Sequence, residues 1–127
     1  MNGLNVILLS KEASTLASVA SVLKGQRRFQ VSCLASAGEV WAYLQGNKLD
    51  VAVVSDVLQD CTGLQFIKNL VAKNPFVNCA LTSPLSTDEF HEATEGYGVF
   101  MQLPVNPSAD AAYEMIERLD KIYELVD

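Results

Sequence analysis

The fold of this chain is decided by the stretch Asp50-Val-Ala-Val-Val-Ser55-Asp-Val-Leu-Gln-Asp60-Cys-Thr-Gly63-Leu64. Its run of small and β-branched apolar residues predicts a strand from Val51 to Ser55. Thr62 and Gln65 then have the spacing of a capping box, which predicts that a helix begins directly after the loop. The stretch therefore indicates a strand, a short polar loop and a helix.

The same alternation continues on both sides of this stretch. Four more strands are predicted, at Asn5 to Leu9, Phe29 to Leu34, Val77 to Thr82 and Gly98 to Leu103. Four more helices are predicted. The first covers about residues 12–24, and the second runs from the Ser36 and Glu39 capping box to about Gly46. A short polar helix follows the Ser86 and Glu89 capping box, and the last runs from an Asn106 N-cap with Pro107 to about Val126. Five βα units in series predict a parallel sheet with helices on both faces.

The composition predicts one compact domain over residues 1–127. With 127 residues, half of them apolar, the chain can bury a single core. Its net charge of -6 repels a phosphate backbone, so we expect no direct contact with nucleic acid. We also expect no membrane association and a cytoplasmic location, because the sequence has neither an apolar run of about 20 residues nor a signal peptide. The 3 cysteines form no CxxC pair, and neither a disulfide scaffold nor a zinc site follows from them.

Ligands of such a sheet bind outside the carboxyl ends of its strands. That rule selects one group of residues for a candidate site: Ser10, Lys11, Ser55, Asp56, Thr82, Ser83, Leu103 and Pro104.

Three short motifs recur in the right order: Ser55 to Gly63-Leu64, Leu81-Thr82-Ser83 and Leu103-Pro104. Together they make the sequence similar to the response-regulator receiver family, the CheY-like proteins, over essentially its whole length. The resemblance implies an α/β, flavodoxin-like doubly wound sheet of five parallel strands in the order 2-1-3-4-5. It also implies a role in bacterial two-component signal transduction and a cis peptide bond before Pro104.

Most of the family's functional positions are changed here. The resemblance implies that Ser10 and Lys11 replace the paired acids that hold magnesium, that Ser55 replaces the phosphoacceptor aspartate, and that Leu103 replaces the conserved lysine. Only the switch hydroxyl, Thr82, is kept. The implied protein is a degenerate receiver, or pseudo-receiver, with no catalytic residue, no metal and no cofactor.

Asp56 is the alternative phosphoacceptor. A shift of one residue would place it at the acceptor position with a divalent metal, but the shift would also reverse the faces of Val51, Val53 and Val54. Otherwise we expect Asp56 and Asp60 to be solvated loop carboxylates. An ion pair of Lys11 with one of them would supply part of the missing metal's charge.

A second alternative is a small-ligand module. The hydroxyls of Ser10, Ser14 and Thr15 lie where flavodoxin-like proteins bind the phosphate of a flavin or a nucleotide. The loop lacks a glycine, and Glu12 would repel phosphate. We therefore expect Ser10 or a neighbour to cap the first helix.

The last helix carries the strongest interaction signal. Its apolar residues follow a 4-3-4-3 spacing that mainly predicts core packing, but the apolar end at Leu125 and Val126 suggests a dimer contact or a following output domain. In receivers, helix four, strand five and helix five form the interaction face. The resemblance implies that this face includes Phe90, Met101, Arg118 and Tyr123, with the switch aromatic position at Phe100. The sequence thus predicts a phosphorylation-independent interaction module and a homodimer.

Overall fold

The computed structural model describes residues 3–124, in which strands and helices alternate. The strands are β1 (Leu4–Leu9), β2 (Phe29–Leu34), β3 (Val51–Val54), β4 (Asn78–Thr82) and β5 (Val99–Leu103). The α-helices are α1 (Ala17–Lys24), α2 (Ala37–Tyr43), α3 (Gly63–Lys73), α4 (Thr87–Thr94) and α5 (Ala109–Glu124). No helix in these residues is long and apolar enough to span a membrane.

The five strands form one parallel sheet in the order β2-β1-β3-β4-β5. This confirms the predicted fold and strand order. Helices α1 and α5 cover one face of the sheet, and α2, α3 and α4 cover the other, each with its own apolar core. We call these the α1/α5 side and the α3/α4 side.

Strand β3 explains why the sheet is buried on both sides. Its four side chains are fully buried, with Val51 and Val53 in the core of the α1/α5 side and Ala52 and Val54 in the other. Side chains alternate along a strand, so a run of four apolar residues serves both faces at once. Burying a valine contributes about 1.5–3 kcal/mol, which fixes this strand at the centre of the sheet.

The helix starts on the α3/α4 side follow the predicted caps, except that Thr62 and Gln65 form only one of the two contacts of a capping box. Ser36 with Glu39 and Ser86 with Glu89 both form complete capping boxes. At the start of α3, the Thr62 hydroxyl oxygen accepts a hydrogen bond from the Gln65 amide at 3.2 Å. These caps satisfy backbone amides that have no partner inside their helices.

Several details of the prediction are wrong. Residues Ala13–Leu16 form a 3-10 helix before α1. Asn106 has a φ of 57°, a left-handed conformation that an N-cap does not adopt, and the Ser108 hydroxyl instead accepts from the Ala111 amide at 3.4 Å. The peptide bond before Pro104 is trans, since the described residues contain no cis bond. The apolar end at Leu125 and Val126 lies outside the described residues.

Strand β5 contains an irregularity that the sequence did not reveal. Cys79 pairs with Val99 and Ala80 pairs with Met101, so Phe100 is the extra residue of a β-bulge. The bulge places Phe100 against the core of the α1/α5 side, which also holds Met101. The Phe100 carbonyl accepts from Arg118 Nη1 at 3.4 Å. Because β5 is an edge strand, the bulge and the arginine both protect this edge against unwanted strand pairing.

Gly63 brings the start of α3 directly against the end of β3. A Cβ atom at this position would overlap the Ser55 carbonyl oxygen and lie 2.9 Å from Leu81 Cδ1. The Gly63 amide also donates to the Asp56 carbonyl at 2.9 Å. A glycine at position 63 therefore has a steric cause, because a side chain there would collide with the end of β3.

We predict that Gly63→Ala lowers the free energy of unfolding by about 1–3 kcal/mol or more, because backbone atoms must move to admit the methyl group. Gly46→Ala is the matched control, since nothing lies within 4 Å of a Cβ at Gly46. Urea denaturation of the two variants measures the difference. Equal midpoints for Gly63→Ala and the native protein would show that the close approach is not a constraint.

Candidate functional site

Four side chains form a row across the carboxyl ends of β1, β3, β4 and β5. They are Ser10, Ser55, Thr82 and Leu103, and each is at most 6 % exposed. The Ser55 amide donates to the Leu9 carbonyl at 2.8 Å, and Thr82 is the register partner of Leu103, which places the four at one level. The row thus consists of three hydroxyls and one apolar side chain, without a carboxylate or a lysine.

Each hydroxyl of this row has a partner inside the chain. Ser10 Oγ donates to the Glu12 carbonyl at 2.7 Å, and Thr82 Oγ1 and Ser55 Oγ donate to Asp56 Oδ1 at 3.2 and 3.4 Å. In the part of the chain that the structure describes, no buried side-chain N or O atom lacks a hydrogen bond. A polar ligand would have to break these bonds, so the row is not prepared for one.

Asp56 and Thr82 form a reciprocal pair. The Asp56 amide donates to Thr82 Oγ1 at 2.9 Å, while the Thr82 hydroxyl donates back to the Asp56 carboxylate. Asp56 is half-buried and Thr82 is fully buried. The expectation that Asp56 is a solvated loop carboxylate is therefore wrong. The pair links the β3–α3 loop to the end of β4.

Asp60 lies elsewhere, at the start of α2. Its carboxylate accepts from the Ala37 amide at 3.0 Å and the Gly38 amide at 3.2 Å. The Ala37 hydrogen bond is the main cause that holds the pKa of Asp60 below its ordinary value. Asp60 is exposed, as expected, but it joins the β3–α3 loop to α2 rather than belonging to a cluster of acids.

The proposed ion pair of Lys11 is not formed. Lys11 is exposed, and within residues 3–124 it makes no ion pair with Asp56 or Asp60. The predicted helix cap by Ser10 is also wrong, since neither the 3-10 helix nor α1 has a side-chain cap and the Ser10 hydroxyl donates to a carbonyl instead.

The residues at the strand ends do not fit a magnesium ion. Magnesium prefers carboxylate and water oxygens in octahedral geometry, and a lysine ammonium beside the site repels it. The carboxylates of Asp56 and Asp60 are held at two different places by their own hydrogen bonds. Among the described residues, no group of three or more His, Cys, Asp or Glu side chains could hold a metal.

The residues predicted for the interaction face lie on α4, β5 and α5, and their side chains differ in exposure. Phe90 and Met101 are 4 % and 5 % exposed, so their side chains are buried beneath this face. They form the floor of a groove of about 240 Å³ between α4, β5 and α5, together with Phe100. Arg118 is exposed at its side, while Tyr123 is half-buried and accepts from Asn78 Nδ2 at 3.2 Å.

Gln102 is a residue that the sequence did not single out. Its side-chain amide donates to the carbonyls of Ser83 at 3.2 Å and Leu85 at 2.8 Å. It therefore ties the β4–α4 loop to β5, beside the groove. Nothing in the local sequence distinguishes this glutamine from a solvated one, because both partners are backbone atoms of a distant loop.

Comparison with known proteins supports the fold. No protein-family model matches the chain, and no curated protein sequence matches it. Solved structures, in contrast, do match the chain. The signal receiver domain of an HD domain-containing protein from Pseudomonas fluorescens has a TM-score of 0.80 at 10% identity and covers 98% of this chain and 92% of its own.

Two more structures agree. A CheY-like response regulator receiver domain protein from Methanospirillum hungatei has a TM-score of 0.77 at 19% identity, covering 97% of this chain and 98% of its own. The chemotaxis response regulator CheY4 of Vibrio cholerae has a TM-score of 0.78 at 17% identity, covering 92% and 98%. At these identities the likeness establishes the fold: the chain has the receiver-domain fold of two-component response regulators.

We predict that Asp60→Asn lowers stability at pH 7 and that this loss shrinks as the pH falls below about 4. The lowered pKa means that the charged carboxylate stabilises the fold above its ordinary pKa, and protonation removes that contribution as the pH falls. Urea midpoints of both proteins between pH 2 and pH 7 measure it. Glu12→Gln, at an exposed acid, is the control and leaves the stability unchanged. A loss for Asp60→Asn that is independent of pH would contradict the role of its charge.

Proposed function

We propose that this chain is a degenerate receiver that acts as a phosphorylation-independent interaction module in bacterial signal transduction. The observation that carries the proposal is the buried row of Ser10, Ser55, Thr82 and Leu103, whose hydroxyls are all bonded within the chain. The module has no catalytic residue and needs no cofactor. It belongs in the cytoplasm, where two-component signalling proteins meet their partners.

The chemistry of the row supports this function. Aspartyl phosphate formation needs a carboxylate to attack phosphorus and a metal to hold the phosphoryl oxygens. The Ser55 hydroxyl is a far weaker nucleophile than a carboxylate. The carboxylate beside it, Asp56 Oδ1 at 3.4 Å, also accepts from the Thr82 hydroxyl, and His91 is exposed on α4. Leu103 is fully buried and supplies no cation to a phosphoryl group.

The loops next to the row support a surface that is permanently formed. The Asp56 and Thr82 pair ties the end of β4 to the β3–α3 loop. Gln102 ties the β4–α4 loop, which follows, to β5. The start of α4 is thereby positioned by the protein's own side chains, without a phosphoryl group. A binding face that includes α4 is then available at all times.

The partner is a protein or an output domain. The neighbour from Pseudomonas fluorescens is the receiver domain of a protein that also contains an HD domain, and its likeness to this chain supports a module that serves a larger assembly. The net charge of -6 speaks against nucleic acid as the direct partner.

A second candidate function is a regulated receiver that uses Asp56. It is favoured by one observation, the half-buried Asp56 carboxylate beside the Thr82 hydroxyl. No observation of this kind favours the flavin or nucleotide phosphate site, since the Ser10 hydroxyl is bonded to the Glu12 carbonyl and the loop still lacks a glycine.

We predict that magnesium and beryllofluoride together leave the backbone amide spectrum unchanged, because neither the acceptor nor the metal ligands are in place. Nuclear magnetic resonance of the ¹⁵N-labelled protein measures this at the amides of Asp56, Thr82 and Phe100. A receiver domain that has its acceptor aspartate serves as the positive control for the reagents.

The same measurement separates the two candidate functions. Saturable shifts at Asp56 and Thr82 that disappear in Asp56→Asn would establish the regulated receiver. Acetyl phosphate that labels the native protein but not Asp56→Asn would lead to the same conclusion. Unchanged spectra in both proteins agree with the phosphorylation-independent module.

A further inference from the structure

The groove on the interaction face has an apolar floor and polar sides. Phe90 and Met101 are buried beneath it, and Val99 and Phe100 are half-buried along β5. Arg118 stands at the α5 side, but its guanidinium already contacts Glu114 at 3.4 Å and the Phe100 carbonyl at 3.4 Å. The groove therefore combines a small apolar surface along β5 with polar sides and little free positive charge.

An acidic depression continues from the α4 side of the groove. It is lined by Asp88, Glu92 and Glu95, and it shares His91 and Val99 with the groove. Asp88 and Glu92 are spaced at i and i+4 on one exposed face of α4, and Glu95 directly follows the last residue of the helix. Within residues 3–124 none of the three forms an ion pair.

The charge of the chain is divided unevenly. Residues 1–82 carry 7 Lys and Arg against 5 Asp and Glu, whereas residues 83–127 carry 2 against 10. The second segment contains α4, β5 and α5. The net negative charge of the protein is thus concentrated in this segment, and four of its acids, Asp88, Glu89, Glu92 and Glu95, lie in or directly after α4.

This distribution decides between two occupants of the groove. A second copy placed by a two-fold axis through the depression would bring Asp88, Glu92 and Glu95 against their own copies, and like charges across an interface cost several kcal/mol. A basic partner would gain from the same field, both in rate of association and in specificity. Charge complementarity therefore favours a positively charged partner over the homodimer that the sequence predicts.

We propose, on the basis of the proposed function, that the groove binds a basic amphipathic helix of another protein. One apolar face of that helix packs on Val99 and Phe100 above the buried floor. Its Lys or Arg side chains lie against Asp88, Glu92 and Glu95. This is recognition of a helix in a groove, in which apolar residues anchor the segment and charge selects it.

The test uses two synthetic helical peptides of about 16 residues, each with Leu at helical spacing on one face. The first has Lys at the remaining positions and the second has Glu. Each is titrated into the ¹⁵N-labelled protein at low salt. We expect saturable binding of the Lys peptide with shifts at the amides of Val99, Phe100 and Gln102, and no binding of the Glu peptide.

Two variants of equal charge locate the site. Glu92→Lys/Glu95→Lys reverses two acids of the depression, and Glu12→Lys/Glu117→Lys reverses two exposed acids elsewhere. Glu117 and Asp120 are three residues apart and therefore lie on one face of α5. Asp120 pairs with Arg28, so this face points away from the groove. We expect the first variant to weaken binding of the Lys peptide roughly tenfold and the second less than about twofold.

Neither variant is expected to unfold, because all four acids are exposed and Glu95 ends α4, where a positive charge is favourable. Equal losses for the two variants, shifts outside the groove, no saturable binding, or a stable dimer at low salt would overturn the proposal. The proposed function fails separately, if the Lys peptide binds only when magnesium and beryllofluoride are present.

Discussion

The close approach of α3 to β3 is the constraint on which the candidate site depends. Because Gly63 has no side chain, α3 begins against the Ser55 carbonyl, and the loop between them is held in one path. That path points Asp56 to Thr82 and Asp60 to the start of α2. One short loop therefore joins β3 to β4 and to α2, and it leaves neither carboxylate free at the carboxyl ends of the strands.

The sequence predicts the sheet well because its signals are local and strong. The four apolar residues from Val51 to Val54 are all buried only in a central strand that is covered on both faces. The capping boxes at Ser36 and Ser86 mark helix starts by short-range hydrogen bonds. Prediction fails where backbone geometry competes with residue preference. Asn106 is a favoured cap residue, but it adopts a left-handed conformation, and the helix begins after Ser108.

The sequence predicts that the residues of the row lie at one edge of the sheet, but it does not predict their contacts. Ser10, Ser55 and Thr82 each follow or end a predicted strand, so the sequence could assign them to the carboxyl edge of the sheet. The Gln102 contacts and the bulge at Phe100 depend on backbone atoms that are distant in sequence or on the register of an edge strand. The sequence also does not predict the burial of Phe90 and Met101. A family resemblance assigns a residue to a face, but it does not say how deeply the side chain is buried.

Under the proposed function, the row at the strand ends and the acids of α4 belong to one physical account. A phosphoryl switch acts by a large local change in charge, and the row of Ser10, Ser55, Thr82 and Leu103 contains no carboxylate to accept the group. Where charge cannot be switched, selectivity has to come from charges that are always present. The groove has such charges in Asp88, Glu92 and Glu95, and its loops are held by Asp56 and Gln102 in a single arrangement. Under that proposal, an apolar floor with a constant negative field suits a partner that is recognised continuously.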